Sequence, residues 1–319
     1  MRTKWMGMLV ATAILASLAI AAVALGPANL MNLGSPTGGN TPQASSIGVP
    51  TWHVGDFWTY HVNASSAVPT FSAFVVAGNV TRMVTASDGG QYNVSVHGSF
   101  HVESLIDLAR SGDFGNATIM LWSRTFMENA TVDGYTLYRA SDLAELRDVR
   151  TIRFTGSIWT EVGTFNASYT TKVDTTYDPA LDVWAFPLNE NETWNVSSNA
   201  TIHVWTKWRL DAPNEYFEFG HNFTVTLPIR LLAHSGMVED VTTPAGTFSA
   251  IPVRLTLPTL DVVTNDRLTP AMGIGADGWM EPRVPAVAWF SAAVGNVVKA
   301  ATPFGGSRIV TELTAFHRS

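Results

Sequence analysis

Between residues 191 and 204 the side chains alternate in polarity with a period of two. Asn191, Thr193, Asn195, Ser197, Asn199, Thr201 and His203 occupy the odd places, and Trp194, Val196, Ile202 and Val204 the even ones, with Ser198 and Ala200 weakening the apolar face in the middle. Only an extended strand sends neighbouring side chains to opposite sides, so this stretch presents one solvated and one core-facing surface. A helix would scatter the polar set and strand Trp194 among it. The same division recurs. Tyr92, Val94 and Val96 alternate with Asn93, Ser95 and His97; Phe223, Val225 and Leu227 with Asn222, Thr224 and Thr226; Phe74, Val76, Val80 and Val84 oppose Asn79, Thr81 and Thr85. Turn pairs expected at Asp88-Gly89 and Asp133-Gly134 punctuate these runs. The expected fold class is all-β, an antiparallel curved sheet or β-sandwich with one solvated face. Only SDLAELRDVR, residues 141 to 150, reads as a short helix capped by Ser141.

The polar face carries a second signal. Asn-x-Ser/Thr triplets, the acceptors of N-linked sugar, begin at Asn63, Asn79, Asn93, Asn116, Asn129, Asn166, Asn191, Asn195, Asn199 and Asn222, and none has Pro in the middle place. With 17 Asn and 59 Ser plus Thr in 319 residues, chance placement yields roughly three such triplets. An excess of this size marks a chain whose surface is exposed to a glycosylating, extracellular compartment.

The N-terminus agrees. Arg2 and Lys4 precede an uncharged apolar run of 21 residues, Trp5 to Leu25, long enough to cross a bilayer as a helix. It reads as a transmembrane anchor, with a signal peptide cleaved near Ala22-Val23-Ala24 as the alternative. The basic residues before the run place the remainder outside in both cases. Residues 26 to 50 contain no charge and are rich in Gly, Pro and Ser, the composition of a flexible stalk. The expected organisation is therefore 1–25 anchor or signal, 26–50 stalk, 51–183 a first β region and 184–319 a second. Charged residues make up only 14% of the chain, so Ser, Thr, Asn and glycans must supply the polar surface. A net charge of −7 offers no basic stripe for nucleic acid. The absence of cysteine removes disulfides, thiolate metal sites and cysteine catalysis. An exported chain with ten acceptors and no disulfides suggests an archaeal surface glycoprotein.

A weak internal repeat is visible. The motif WHVGDFWTY at 52–60 and the step from Phe186-Pro187-Leu188 to Thr193-Trp194-Asn195-Val196 each precede a hairpin-like stretch, at 83–96 and 241–255 respectively. Duplication and convergence of hairpins both account for it. The order of Val54-Gly55-Asp56-Phe57-Trp58-Thr59-Tyr60, then Pro244-Ala245-Gly246-Thr247-Phe248, then Ala288-Trp289-Phe290-Ser291 with Val294-Gly295-Asn296-Val297-Val298-Lys299 resembles that of TapB-like exported proteins. The resemblance runs discontinuously over 52–316, with no counterpart for 103–183. It implies an envelope protein with a curved β-sheet and carries over no catalytic residue. Independently of it, Pro244-Ala245-Gly246 is a reverse turn that returns Phe248 to the core.

Chemistry is harder to find. No nucleophile elbow, zinc-protease, P-loop or dinucleotide motif is present. His97, His101 and Glu103 share one strand face, but the two histidines, about 13 Å apart in a strand, cannot bind one ion. His53, Asp56 and His61 flank the first aromatic motif, where Asp56 is more simply a turn acid. Glu190 with Glu192, and Glu239 with Asp240, read as loop charges rather than a glycosidase pair. No cofactor, metal or catalytic residue is assigned. Eleven tryptophans either build a core, as expected for Trp122, Trp159, Trp184 and Trp279, or line a sugar- or lipid-binding cleft; Trp205 and Trp208 sit beside Lys207 and Arg209.

The expectation is a non-enzymatic, extracellular cell-surface glycoprotein, membrane-anchored or secreted, with a structural or adhesive envelope role. A module holding lipid or glycan in an aromatic-lined cleft and an exported hydrolase are the alternatives. All acceptors stop at Asn222. The apolar run 284–306 is therefore either a glycan-free contact for an envelope protein within 256–306, or a set of strands covered on both faces.

Overall fold

The computed structural model describes residues 46–68, 72–106, 110–114, 117–121, 123–160, 163–212, 215–256, 286–304 and 307–319. The expected N-terminal helix, most of the stalk, and Asn116, Trp122 and Trp279 lie outside them, as does the side chain of Trp159. Among the described residues fifteen strands follow one another in the order β1 (Phe57–Val68), β2 (Ser72–Asp88), β3 (Gln91–Ile106), β4 (Arg110–Phe114), β5 (Ala117–Leu121), β6 (Ser123–Arg139), β7 (Glu145–Thr160), β8 (Gly163–Leu181), β9 (Thr193–Ala212), β10 (Glu215–Ser235), β11 (Glu239–Thr243), β12 (Gly246–Thr256), β13 (Ala286–Ser291), β14 (Asn296–Phe304) and β15 (Ser307–His317). All pairings between them are antiparallel.

The strands do not form a sandwich. Their order is β10-β9-β8-β7-β6-β3-β2-β1-β15-β14-β13-β12-β11, and β10 pairs again with β12 through Leu232 to Ser235 against Thr256 to Val253. That second pairing closes a barrel of twelve strands, with β11 attached to β12 and β4–β5 a separate hairpin. A closed sheet has an inside and an outside, so period-two alternation sorts apolar side chains into the lumen and polar ones onto the wall. Val62, Val76, Val80, Val94, Val96, Val132 and Ile152 point inward and are buried, while Asn63, Asn79, His97, Thr131 and Arg153 are exposed. The polarity is the reverse of a membrane-spanning barrel, whose apolar side chains face outward. Among the described residues no helix is long and apolar enough to cross a membrane.

One end of the lumen is plugged by the chain leading into β1. Ile47 exchanges two backbone hydrogen bonds with Leu188 in the β8–β9 connection. Trp52 sits among the rings of Trp58, Tyr92 and Tyr138, at centroid distances of 5.1, 5.4 and 5.3 Å. Its indole N–H donates to the Gly295 carbonyl at 2.9 Å. The indole of Trp58, fully buried, donates to Val294 at 3.1 Å, and the Tyr60 hydroxyl to Val297 at 3.0 Å. The WHVGDFWTY motif thus ties the entry segment and β1 to the start of β14 some 240 residues later.

Two local expectations are corrected. Residues 141 to 150 form no helix. Leu143 has φ of 58°, outside the helical region, and Asp142 accepts from Arg139 Nε and the Ala144 N–H, making a tight turn from which β7 departs at Glu145. Asp133-Gly134 is not a turn but the middle of β6, where a Cβ on Gly134 would stand 1.9 Å from the Val149 carbonyl oxygen. Glycine there permits close approach of β6 and β7. Asp88-Gly89 does lie at the β2–β3 hairpin, with Gly89 and Gly90 at φ of 58° and 76°. Gly246, at φ 133°, ends the Pro-Ala-Gly turn, and Phe248 packs edge-on against Phe316 at 5.7 Å. Both hairpins of the weak repeat exist. β8, in the first expected region, pairs with β9, in the second, over thirteen residues, and both belong to one barrel. In the 284–306 run, Val287 with Ala288, Val297 with Val298 and Ala300 with Ala301 are consecutive buried pairs, so both faces of β13 and β14 are covered by this chain.

Candidate functional site

Nine of the ten acceptors fall on described residues, and all nine face away from the lumen or lie in a loop. Asn63, Asn79, Asn129, Asn166, Asn195, Asn199 and Asn222 are exposed on β1, β2, β6, β8, β9, β9 and β10; Asn93 on β3 is half-buried. Asn191 is exposed in the β8–β9 connection with φ of 57°, a left-handed conformation that asparagine tolerates better than most residues. In a strand, Asn and the hydroxyl residue two places on share a face, which is why each outward Asn brings its Ser or Thr with it. Opposite Asn195 and Asn199 the apolar alternate set is partly or fully buried, with Val196, Ser198 and Ala200 buried and Trp194, Ile202 and Val204 half-buried.

The residues weighed for chemistry are dispersed. His97 Nδ1 lies 3.0 Å from Asp133 Oδ1, and Asp133 Oδ2 accepts from Arg153 at 2.8 Å, an exposed cross-strand trio on the outer wall. His101 is exposed four residues further along β3, and the side chain of Glu103 lies outside the described residues. Among the described residues no three His, Asp or Glu converge as metal ligands. Asp56 is a buried turn acid: it accepts from the His53 N–H at 2.9 Å and from the Ser319 N–H and hydroxyl at 2.8 and 3.0 Å. Burial pushes its carboxyl up, but these hydrogen bonds outweigh that and hold it below the usual range. His61 instead meets Asn79 on the neighbouring strand. Glu190 accepts from the Val238 N–H at 2.6 Å, Glu192 from Asn189, and Glu239 from the Trp289 indole. Each fastens a loop, and none faces a partner across a cleft.

The lumen holds what sequence reasoning missed, a cluster of charges inside the apolar barrel. Arg82 on β2 donates to the Tyr138 hydroxyl at 3.2 Å, and that hydroxyl donates to Glu145 Oε1 at 3.4 Å. Arg150 Nη2 contacts Asp148 Oδ1 at 2.5 Å and Thr136 Oγ1 at 2.7 Å, and Thr136 donates to the same Asp148 oxygen at 2.8 Å. Glu145, Asp148, Arg150 and Arg82 are all buried. Burial, reinforced by the charge of Asp148, pushes the Glu145 carboxyl up to about 7. Burial likewise raises Asp148, against the pull of Arg150. Desolvation moves the Tyr138 phenol up to about 12, opposed by Arg82. Burial lowers Arg82, yet Tyr138, Tyr60, Glu145 and Asp148 together hold it above its ordinary value. Asp148 Oδ2 and Thr171 Oγ1 are buried without a protein partner among the described residues. The available signal was the run Asp148, Arg150, Ile152, Phe154, which has period two but places two charges on an apolar face; that conflict made a helix the easier reading of 141–150.

The fold and its two faces define a class: a closed, twelve-stranded antiparallel barrel with an apolar interior plugged at one end and a polar wall that carries Asn-x-Ser/Thr triplets. Comparisons with protein-family models, with curated proteins and with solved structures returned no match.

Proposed function

We propose that this chain is an exported, N-glycosylated surface protein whose barrel serves a structural or adhesive role in a cell envelope, without catalysis, and that residues 1–25 anchor it to or direct it across the membrane. One observation carries the reading: every described acceptor lies on the outer wall or in a loop, where sugar can be attached without disturbing the core. The buried lumen-facing set is the complement, since a packed apolar interior such as that of β1 to β7 suits a building element. The motif resemblance to TapB-like exported proteins fits the same role, and the lack of cysteine fits an archaeal envelope. Intact-mass and peptide mapping of the protein from its native membrane tests it. Mass above the 34.5 kDa of the chain, located on these asparagines, is expected; a native protein whose acceptors all lack sugar refutes the reading.

A second reading, a carrier of an amphiphilic ligand in the lumen, is favoured by the unpartnered Asp148 Oδ2 within the charge cluster. Native mass spectrometry of protein extracted without detergent exchange separates the two, since a carrier retains a stoichiometric non-covalent ligand and a building element does not.

A further inference from the structure

The outer wall of β9 and β10 is polar except at a few places, and those places are not randomly distributed. Trp205, 43% exposed, is the one exposed tryptophan among those whose burial is described. It stands directly opposite Asn222. Leu232, 40% exposed, stands opposite Asn195, and exposed Pro228 opposite Asn199. Each acceptor on these two strands therefore faces an apolar side chain left bare, while exposed Tyr216, opposite Asp211 at the far end of the wall, lies under the Arg209 guanidinium. Directly opposed residues on antiparallel strands have Cβ atoms about 4.5–5.5 Å apart, close enough for a group on one to cover the other.

The surroundings of Trp205 suit a sugar ring. Asn222 and Thr224, the two polar members of its acceptor triplet, share the outward face, and Thr224 Oγ1 and His203 Nδ1 share a hydrogen bond at 2.7 Å. The next outward position on β10 is Gly220, which carries no side chain and leaves the diagonal beside Trp205 low. Beyond it Lys207 and Glu218 form an ion pair at 2.9 Å. An indole that faces an acceptor, with a bare glycine on the diagonal beside that acceptor and Lys172 opposite it on β8, offers a flat apolar shelf, and the C–H face of a pyranose packs on such a ring while its hydroxyls remain solvated.

We propose that Trp205 is the docking platform for the first sugar of the glycan on Asn222, so that this glycan lies down on the β9–β10 wall instead of projecting from it. The inference rests on the N-glycosylated reading above. It gives the exposed tryptophan a covalent, intramolecular partner in place of an external ligand.

The test uses the full-length glycosylated protein from the native host in four forms: parent, Trp205→Ser, Asn222→Gln and the double variant. Cleavage after Arg209 and Arg230 releases a peptide with Asn222 as its only acceptor, so occupancy at this site is read directly by mass. In the parent background Asn222→Gln is expected to lower the unfolding midpoint by about 1–3 °C, the range for a modest surface contact in a domain of this size, and to have no effect once Trp205 is Ser. Oxidation by N-bromosuccinimide supplies a second readout that needs no tryptophan variant: Trp205 should be protected in the parent and modified in Asn222→Gln. An occupied Asn222 with equal midpoint shifts in both backgrounds, or an unprotected Trp205 in the parent, overturns the inference and leaves the glycoprotein reading standing. A bare Asn222 with other acceptors occupied overturns it too, whereas sugar on no acceptor at all overturns both.

Discussion

Glu145→Gln should make the barrel more stable in neutral and alkaline solution, against the usual expectation for removing a hydrogen-bonded charge. The carboxyl lies in the lumen beside Asp148, accepts from Tyr138, and is raised from its ordinary 4.5 to about 7 by burial and by that neighbouring charge. A raised carboxyl binds its proton more tightly in the folded than in the unfolded chain. Its contribution to stability is therefore fully present below pH 4.5 and is lost as pH climbs to about 7. At about 1.36 kcal/mol per pH unit, the loss is on the order of 3 kcal/mol. Glutamine cannot ionise and keeps a carbonyl oxygen for Tyr138, so the variant escapes it. The assay is urea unfolding of both proteins at half-unit steps from pH 4.5 to 8.5. Asp56, Asp142 and Asp174, whose carboxyls are held low, lose their contribution only as pH falls towards and below the usual carboxylate range, beneath this window. The two curves should meet near pH 4.5 and diverge to about 3 kcal/mol in favour of glutamine above pH 7.5. Because Glu145 and Asp148 are coupled, the difference reports the response of the pair to losing one member. A difference that stays flat across the range refutes the raised carboxyl and with it the account of Glu145 as desolvated beside Asp148.

Arg150→Met keeps the length of the side chain but deprives buried Asp148 of its 2.5 Å partner, so unfolding at pH 7 should show a loss of about 3–5 kcal/mol; a loss below about 1 kcal/mol means the pair is not desolvated. Trp58→Ala empties a fully buried site and removes the hydrogen bond to Val294, which should cost about 3–5 kcal/mol in the same assay. Gly134→Ala would push a methyl group into the Val149 carbonyl, and a variant as stable as the parent contradicts the close approach of β6 and β7.

The strands of this barrel were legible because a closed wall with opposite solvents on its two sides needs strict alternation, and Asn93, Asn195, Asn199 and Asn222 sit on the face that alternation assigns them. Closure was not legible. It rests on four residue pairs between β10 and β12, and nothing in the residues Leu232 to Ser235 distinguishes a barrel seam from a sandwich edge. The helix expected at 141–150 failed for a reason of the same kind: the choice between turn and helix was settled by Leu143 adopting a left-handed conformation, which leucine rarely does, held by contacts from Asp142 to Arg139 and Ala144. Sequence reasoning placed Asp56 correctly as a turn acid, but its bonds to Ser319 lie 263 residues away and follow no local rule. The charge cluster was hidden because its members come from β2, β6 and β7 and each, taken singly, looks like a surface residue.

That cluster also bears on why the chain adopts one barrel among several. Inward positions on β2, β3 and β6 include seven valines, Val76, Val80, Val84, Val94, Val96, Val102 and Val132. A one-residue slip between such strands would turn the apolar face outward and is strongly disfavoured, but a two-residue slip keeps that face inward, so alternation alone does not exclude it. Contacts between β6 and β7 remove that degeneracy. Thr136 faces Asp148 across the β6–β7 pair in the native register, and Arg150 reaches both. Sliding β7 by two residues would keep the Asp148–Arg150 pair, since both lie on β7, but would take it from Thr136, move Glu145 from Tyr138 and displace the Val149 carbonyl from Gly134, the glycine that makes room for it, so that buried polar groups lose hydrogen bonds and the strands lose their close approach. Alternation thus sets which face is in, and the cross-strand contacts of the buried cluster with Thr136 and Tyr138, together with the close approach at Gly134, set which residue is opposite which.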